Sequence, residues 1–197
     1  MSDNLLTPEL AGRLADLYRR METAYDAVAG ELGFSCRDCP DNCCDSFFLH
    51  HTVSEWSYLW LGLAALGPER LARIRGKSER YLSGAAAALA RNQRPQLMCP
   101  LNEEGLCSLY AHRLMICRMH GVPSSLTRPD GQRQDFPGCF RCQELTAVRE
   151  KVPTVERTGL YRELAEVERE LLTSARWRGG RVKMTIAEMV LAGPPGK

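Results

Sequence analysis

The sequence predicts a mainly α-helical fold: a single small helical domain over residues 1–197, with long Cys-rich loops between its helices and one short β-hairpin. Three observations predict it. Apolar residues recur at spacings of three and four along several stretches, the pattern of helices with one buried face. Capping residues bracket those stretches, with Thr, Ser or Pro before and Gly after. The segments between them hold nine cysteines, placed too tightly and among too many turn formers for regular structure. No repeat or linker separates two domains; a Cys-rich core over about 36–142 is flanked by helices within 7–32 and 154–191.

Thr7 caps the first helix and Pro8 opens it. Leu10, Leu14, Leu17, Met21, Tyr25, Val28 and Leu32 line one face, and Gly33 stops it. A second helix takes Ser54 as its cap and runs through Trp56, Leu59, Trp60 and Leu63 to Gly67-Pro68. A third spans about Pro68 to Ala90, with Leu71, Ile74, Tyr81, Leu82 and Leu89 inward and Ala85 to Ala88 marking a close helix approach. Leu97 to Tyr110 reads as a small hairpin, or two irregular strands, about Asn102-Glu103-Glu104-Gly105. Ala111 to Met119 is a short helix, and Pro123 to Phe140 is loop with a turn at Pro129-Asp130-Gly131. A long helix from about Thr154 to Arg176 buries Leu160, Leu164, Val167, Leu171 and Leu172. Thr185 and Glu188 form a capping box for a last helix to about Leu191, and the final GPPGK frays.

Composition narrows the function. Twenty-six basic and 24 acidic residues leave a net charge of +2, so no global charge draws the chain to nucleic acid or a membrane. The longest apolar stretch, Leu59 to Leu66, is far short of the ~18–20 residues a spanning helix needs. The opening MSDNLLTPEL lacks a basic start and an apolar core, so a cytoplasmic location with reduced thiols is expected. An odd cysteine count and the adjacent Cys43 and Cys44 suit a disulfide framework poorly; metal ligation suits them better.

The cysteines fall into three groups: Cys36-x-x-Cys39-x-x-x-Cys43-Cys44; then Cys99, Cys107 and Cys117; then Cys139-x-x-Cys142. A Cys-x-x-Cys turn holds two thiolates about one coordination edge apart, which is why it recurs in zinc and iron–sulfur sites. CRDCPDNCC followed by CPLNEEGLCSLYAHRLMICRMHG resembles the bacterial CxxCxxCC (YkgJ-like) family of zinc- or iron-chelating cysteine-cluster proteins. The resemblance covers about residues 36–121 and rests, after the first cluster, on Cys99, Leu101, Gly105, Cys107, Leu109, Tyr110, Arg113, Cys117 and Arg118. This chain departs in having three residues before the Cys-Cys pair and Leu114 where the family commonly has Pro. The resemblance implies a bound metal or iron–sulfur cluster, and methyl transfer to protein lysines by a flagellin-modifying relative leaves group transfer open.

Two tetrahedral sites need eight thiolates and one 4Fe–4S cluster needs four. Adjacent side chains diverge, so Cys43 and Cys44 either serve different sites or one bridges. Cys36, Cys39, Cys43, Cys44, Cys99, Cys107 and Cys117 are the first ligand candidates and Cys139 and Cys142 the second. Cys142 or Cys44 also fits an ordinary buried thiol. The surplus over two neat pairs favours an iron–sulfur or iron centre, with zinc the alternative.

Arg113 and Arg118 are candidate cofactor-binding cations that offset thiolate charge or hold an anionic substrate. His50, His51, His112 and His120 are secondary ligand candidates. Arg70, Arg73, Arg75, Lys77 and Arg80 read as a solvated helix face, as do Arg176, Arg178, Arg181 and Lys183 about Trp177, rather than a nucleic-acid surface. No Gly-rich phosphate loop, Gly-x-Ser-x-Gly elbow or His-Glu-x-x-His pattern occurs, so a catalytic role is left undecided. The expectation is an iron–sulfur or iron protein supporting redox or group-transfer chemistry on a protein or small molecule; the alternative is a non-catalytic, zinc-stabilised interaction module.

Overall fold

The fold is mainly helical, as the periodicity predicts. The structure, a computed structural model, describes residues 4–36, 39 and 43–196; the rest of the predicted Cys36–Cys44 loop and Lys197 of the predicted frayed tail lie outside them. The chain divides into two compact units. A hairpin unit comprises Met1–Ala11, Cys44–Leu114 and Glu168–Lys197, and a sheet unit comprises Gly12–Cys43 and Met115–Val167. Among the described residues no helix is long and apolar enough to cross a membrane.

Helix α1 (Pro8–Leu32) has its predicted bounds. Thr7 Oγ1 accepts from the Leu10 N–H at 3.2 Å, and Gly33 ends the helix at φ 64°, a left-handed conformation that a Cβ disfavours. Leu14, Leu17, Tyr18 and Met21 are buried along one face.

In the hairpin unit, α2 (Val53–Ala64) is capped by Thr52 rather than by the predicted Ser54. Thr52 Oγ1 accepts from the Glu55 N–H at 3.2 Å. Ser54 lies inside the first turn, where its N–H and that of Val53 each donate to the Glu168 carboxylate at 2.8 Å. Glu168 thereby satisfies two of the amides that every helix start leaves without intrahelical partners. Helix α3 (Pro68–Ala90) packs Tyr81 and Ala85 on Ala187 of α7 (Ile186–Ala192), with Phe47, Leu82 and Leu97 at the border. The buried stripe ends at Ala85, so Leu89, predicted inward, is 52% exposed.

The capping box is present: Glu188 N–H donates to Thr185 Oγ1 at 3.2 Å, and Thr185 N–H donates to the Glu188 carboxylate at 2.6 Å. The indole N–H groups of Trp56 and Trp60 donate to the carbonyls of Gly193 and Met189, tying α2 to the end of α7. Strands β1 (Asn102–Glu103) and β2 (Leu106–Cys107) form the predicted hairpin. Its turn residues Glu104 and Gly105 have φ of 51° and 86°, the positive pair that a tight hairpin of this hand requires. Three cations of α3 are committed within the unit. Arg70 pairs with Glu103 at 2.7 Å, Lys77 donates to the Asn102 carbonyl at 3.1 Å, and Arg75 lies over the Trp60 ring.

Two stability predictions arise here. Gly62 is buried in α2, and a Cβ there would sit 2.6 Å from Cγ of His112, whose ring packs at a tilt against Tyr58. An alanine in mid-helix ordinarily gains about 1 kcal/mol over glycine. Gly62→Ala is instead expected to destabilise by about 1–3 kcal/mol through overpacking, read as a lower urea midpoint. His50 is buried and exchanges two backbone hydrogen bonds with Met184, at 2.8 and 3.0 Å. Burial, with a smaller contribution from His51, lowers its pKa from 6.5 to about 4. The unfolded chain therefore takes up the proton first, and stability present above pH 6.5 falls as the pH drops towards 4. The loss reaches up to about 3 kcal/mol. Melting curves between pH 6.5 and 4.5 should show it in the native chain and much less of it in His50→Gln.

From residue 110 onwards, the structure corrects three expectations. The predicted Ala111–Met119 helix is broken into a 3-10 turn at Tyr110–His112 and α4 (Met115–Met119), because Arg113 between them is extended at ψ 140°. The predicted loop from Pro123 holds β3 (Ser124–Thr127) and β4 (Arg133–Phe136), paired antiparallel; the predicted turn lies between them, with Gly131 at φ 83°. Helix α5 (Phe140–Thr146) follows directly. The long helix begins later than expected, as α6 (Thr158–Ser174), because β5 (Val155–Glu156) is taken up by β3 as a parallel strand. Arg149 donates to the Leu32 carbonyl at 3.1 Å, and Arg20 forms an ion pair with Glu163, so α1 is tied both to the segment after α5 and to α6.

Candidate functional site

All nine cysteines are thiols, and only Cys142 is fully buried. In the hairpin unit, Cys44 lies in a 3-10 turn at Cys43–Asp45. Its carbonyl accepts the Cys99 N–H at 2.8 Å, and the Asp45 carbonyl accepts the Leu97 N–H at 3.2 Å, so residues 97–99 run beside the turn. The Cys99 carbonyl in turn accepts the Asn102 N–H at 2.9 Å, and the hairpin pairs Asn102 with Cys107. Burial pushes the Cys99 thiol up to about 12. The Leu101 N–H and Lys77 oppose the shift, and the charges of Cys44 and Cys107 add to it. Tyr81 is also raised to about 12, by burial first and then by the charges of Cys99 and Glu188.

In the sheet unit, the thiols gather about Tyr25 of α1. Its hydroxyl lies 3.7 Å from Sγ of Cys36. Burial raises the Tyr25 pKa well above the ordinary phenol range, and the charges of Cys36, Cys139 and Cys43 raise it further. The geometry turns on two glycines. Gly121 has φ 127°, and a Cβ there would come 2.5 Å from the Tyr25 hydroxyl. The Gly121 carbonyl accepts the Cys139 N–H at 2.9 Å. Gly138, at φ 86°, crosses that same carbonyl so closely that a Cβ would lie 2.5 Å from it. One backbone crossing thus holds Cys139 beside Tyr25.

The Cys139-x-x-Cys142 pair straddles the start of α5, with Cys139 as the residue before the helix. Arg141 between them hydrogen-bonds the sulfur of Cys39 and donates to the Ser35 carbonyl at 3.4 Å, fastening the start of the first cysteine group to α5. Cys142 is buried, which raises its pKa; the charges of Cys139 and Cys36 add, and Arg149 opposes.

Cys44, Cys99 and Cys107 thus belong to one unit, and Cys36, Cys39, Cys43, Cys139 and Cys142 to the other. Cys117 is half-buried on α4 of the sheet unit. Arg118 is buried over the Tyr18 ring of α1, 4.7 Å from its centroid, and 3.4 Å from the Glu22 carboxylate. Arg113 stacks on Tyr110 at 3.6 Å. His50 is taken up by its backbone bridge, His112 packs on Tyr58, His51 is exposed, and His120 follows α4.

Arg141, Lys77, Arg149 and Tyr25, none of which was a candidate from sequence, act on the thiols. Arg141 carried a signal, since it stands inside Cys-Phe-Arg-Cys. Tyr25 carried none, because its spacing is that of a core residue.

Among the described residues, no three Cys, His, Asp or Glu side chains converge closely enough to hold a metal ion. The donor chemistry nevertheless fits a soft metal. Each set is made of thiols, and a cation lies beside each, Lys77 in one unit and Arg141 in the other. Compared with models of protein families, with curated proteins and with solved structures, the chain matches none.

Proposed function

We propose that this chain binds metal through thiolates, in two ligand sets, one in each unit. The observation that supports it is the parting of the adjacent Cys43 and Cys44. The charge of Cys43 acts on Tyr25 together with those of Cys36 and Cys139, whereas Cys44 joins Cys99 by a backbone bond and acts on it together with Cys107. Packing offers no competing reason for so many thiols. A buried cysteine serves as a small apolar side chain, but eight of the nine are at least partly exposed. The cysteine motif's resemblance to metal-chelating cysteine-cluster proteins supports the same reading, and a reducing, cytoplasmic setting suits it.

The sheet-unit set offers five thiols, more than the four that a 4Fe–4S cluster or a tetrahedral zinc takes. An iron–sulfur or iron centre is the preferred occupant, and when bound it supplies a one-electron couple for redox or group-transfer chemistry on a protein or small molecule. This chain's residues would hold it: Cys36, Cys39, Cys43 and Cys139 as thiolates, and Arg141 offsetting their charge. The hairpin unit favours a second, structural reading, zinc in a non-catalytic module, because the half-buried Cys99 is fixed by backbone bonds on both sides.

Anaerobic purification followed by a visible spectrum and elemental analysis of one sample tests the proposal. Broad visible absorption with matched iron and sulfide supports the cluster. A colourless protein with stoichiometric zinc supports the structural module. A chain isolated without stoichiometric metal, and unable to take it up when reduced, overturns both.

A further inference from the structure

We propose that Tyr25 and Arg141 are positioning residues for the sheet-unit thiol set, hydrogen-bonding the sulfurs of Cys36 and Cys39 so that these two thiolates are held ready for a thiophilic metal. The inference rests on the metal-binding reading above and assigns the second layer of that site. The hydroxyl of Tyr25 and the sulfur of Cys36 are 3.7 Å apart, a distance at which either can donate to the other while the cysteine is protonated. Once Cys36 is a thiolate its sulfur can only accept, so the phenol O–H becomes the donor. The hydroxyl lies against the Gly121 backbone. Gly121 approaches it so closely that even a methyl group there would clash, and Gly121 is itself fixed by the Cys139 N–H.

Arg141 acts on the neighbouring ligand. Its guanidinium bonds the Cys39 sulfur while also reaching the Ser35 carbonyl, so it both offsets thiolate charge and fixes the backbone just before Cys36. Cys36 and Cys43 are exposed, and a set open to water has most to gain from donors that hold its sulfurs in one arrangement. The hairpin-unit set differs: backbone hydrogen bonds at Cys44 and Cys99 already fix its geometry.

The test titrates the reduced, metal-stripped full chain anaerobically with cobalt(II), reading the sulfur-to-cobalt charge-transfer absorption. Cys36→Ser identifies the component that belongs to the sheet unit. Tyr25→Phe and Arg141→Gln are each expected to weaken that component's affinity by about 10–100-fold and to leave the other component unchanged. In Tyr25→Phe the band should also move to lower energy, because a sulfur that has lost its hydrogen bond is more electron-rich; a purely structural role for the ring would not move it. Should Tyr25→Phe lose its circular-dichroism signature of folding, Arg141→Gln decides. Native affinity and an unshifted band in the folded variants overturn the inference while metal binding stands. Absence of any charge-transfer band in the native chain overturns the metal reading, and this inference with it.

Discussion

Cys43→Ser and Cys44→Ser, one residue apart, are expected to empty different sites. Cys44→Ser should remove metal from the hairpin unit and leave the sheet unit's content intact; Cys43→Ser should do the reverse. Serine keeps the backbone, so the Cys44 carbonyl still receives the Cys99 N–H and the change isolates the sulfur. Because site formation contributes folding free energy, each variant should also unfold at lower temperature than the loaded native chain, and the difference should vanish when both are compared after chelation. Metal content per chain by native mass spectrometry reads the first effect, and calorimetry the second. Identical losses from the two variants would show that the adjacent cysteines serve one site.

Gly138→Ala is the substitution with the largest expected effect on the fold. The glycine has φ 86°, which costs an L-residue about 1–2 kcal/mol, and the new methyl would meet the Gly121 carbonyl oxygen at 2.5 Å. That oxygen is backbone and is anchored by the Cys139 N–H, so relief requires breaking this bond, at roughly 1 kcal/mol more. The total of about 2–3 kcal/mol corresponds to a fall of roughly 4–12 °C in Tm for a chain of this size. The variant should also lose sheet-unit metal affinity, since Cys139 moves with the bond. Gly131→Ala is the control: its φ is 83° but nothing lies within 4 Å of a Cβ there, so it bears the conformational cost without the clash. Equal Tm losses in the two variants would contradict this account of the crossing.

The helices were legible because their signals are local. Thr7-Pro8, Gly33, Gly67-Pro68 and the Thr185–Glu188 box each fix an end through a neighbour three or four positions away, and the structure keeps those bounds. The three-stranded sheet was not legible. Ser-Ser-Leu-Thr and Arg-Gln-Asp-Phe lack alternation, since all four β4 residues are exposed, and the third strand comes from a segment about 30 residues away. Taking up residues 155–156 is what delays α6. Thr52 displaced Ser54 as a cap because the Glu168 carboxylate, brought in by tertiary folding, serves the amides of Val53 and Ser54.

The site was legible only in part. Cysteine spacing marked the candidate donors and raised the parting of Cys43 from Cys44. It could not say which distant thiols each joins, because that depends on the Cys44–Cys99 backbone bond and on the Gly121–Gly138 crossing. The placement of the cations depends on the same long-range contacts. Arg118 is close to Cys117 in sequence, but its helix turns it to Tyr18 and Glu22, while Arg141 reaches back across about 100 residues to Cys39.

The most direct measurement is the X-ray absorption fine structure of the metal in the protein as isolated without air. Ligation by the two thiol sets predicts a first shell dominated by sulfur, at about 2.3 Å. A first shell dominated by oxygen or nitrogen would contradict thiolate ligation and with it the function proposed for this chain.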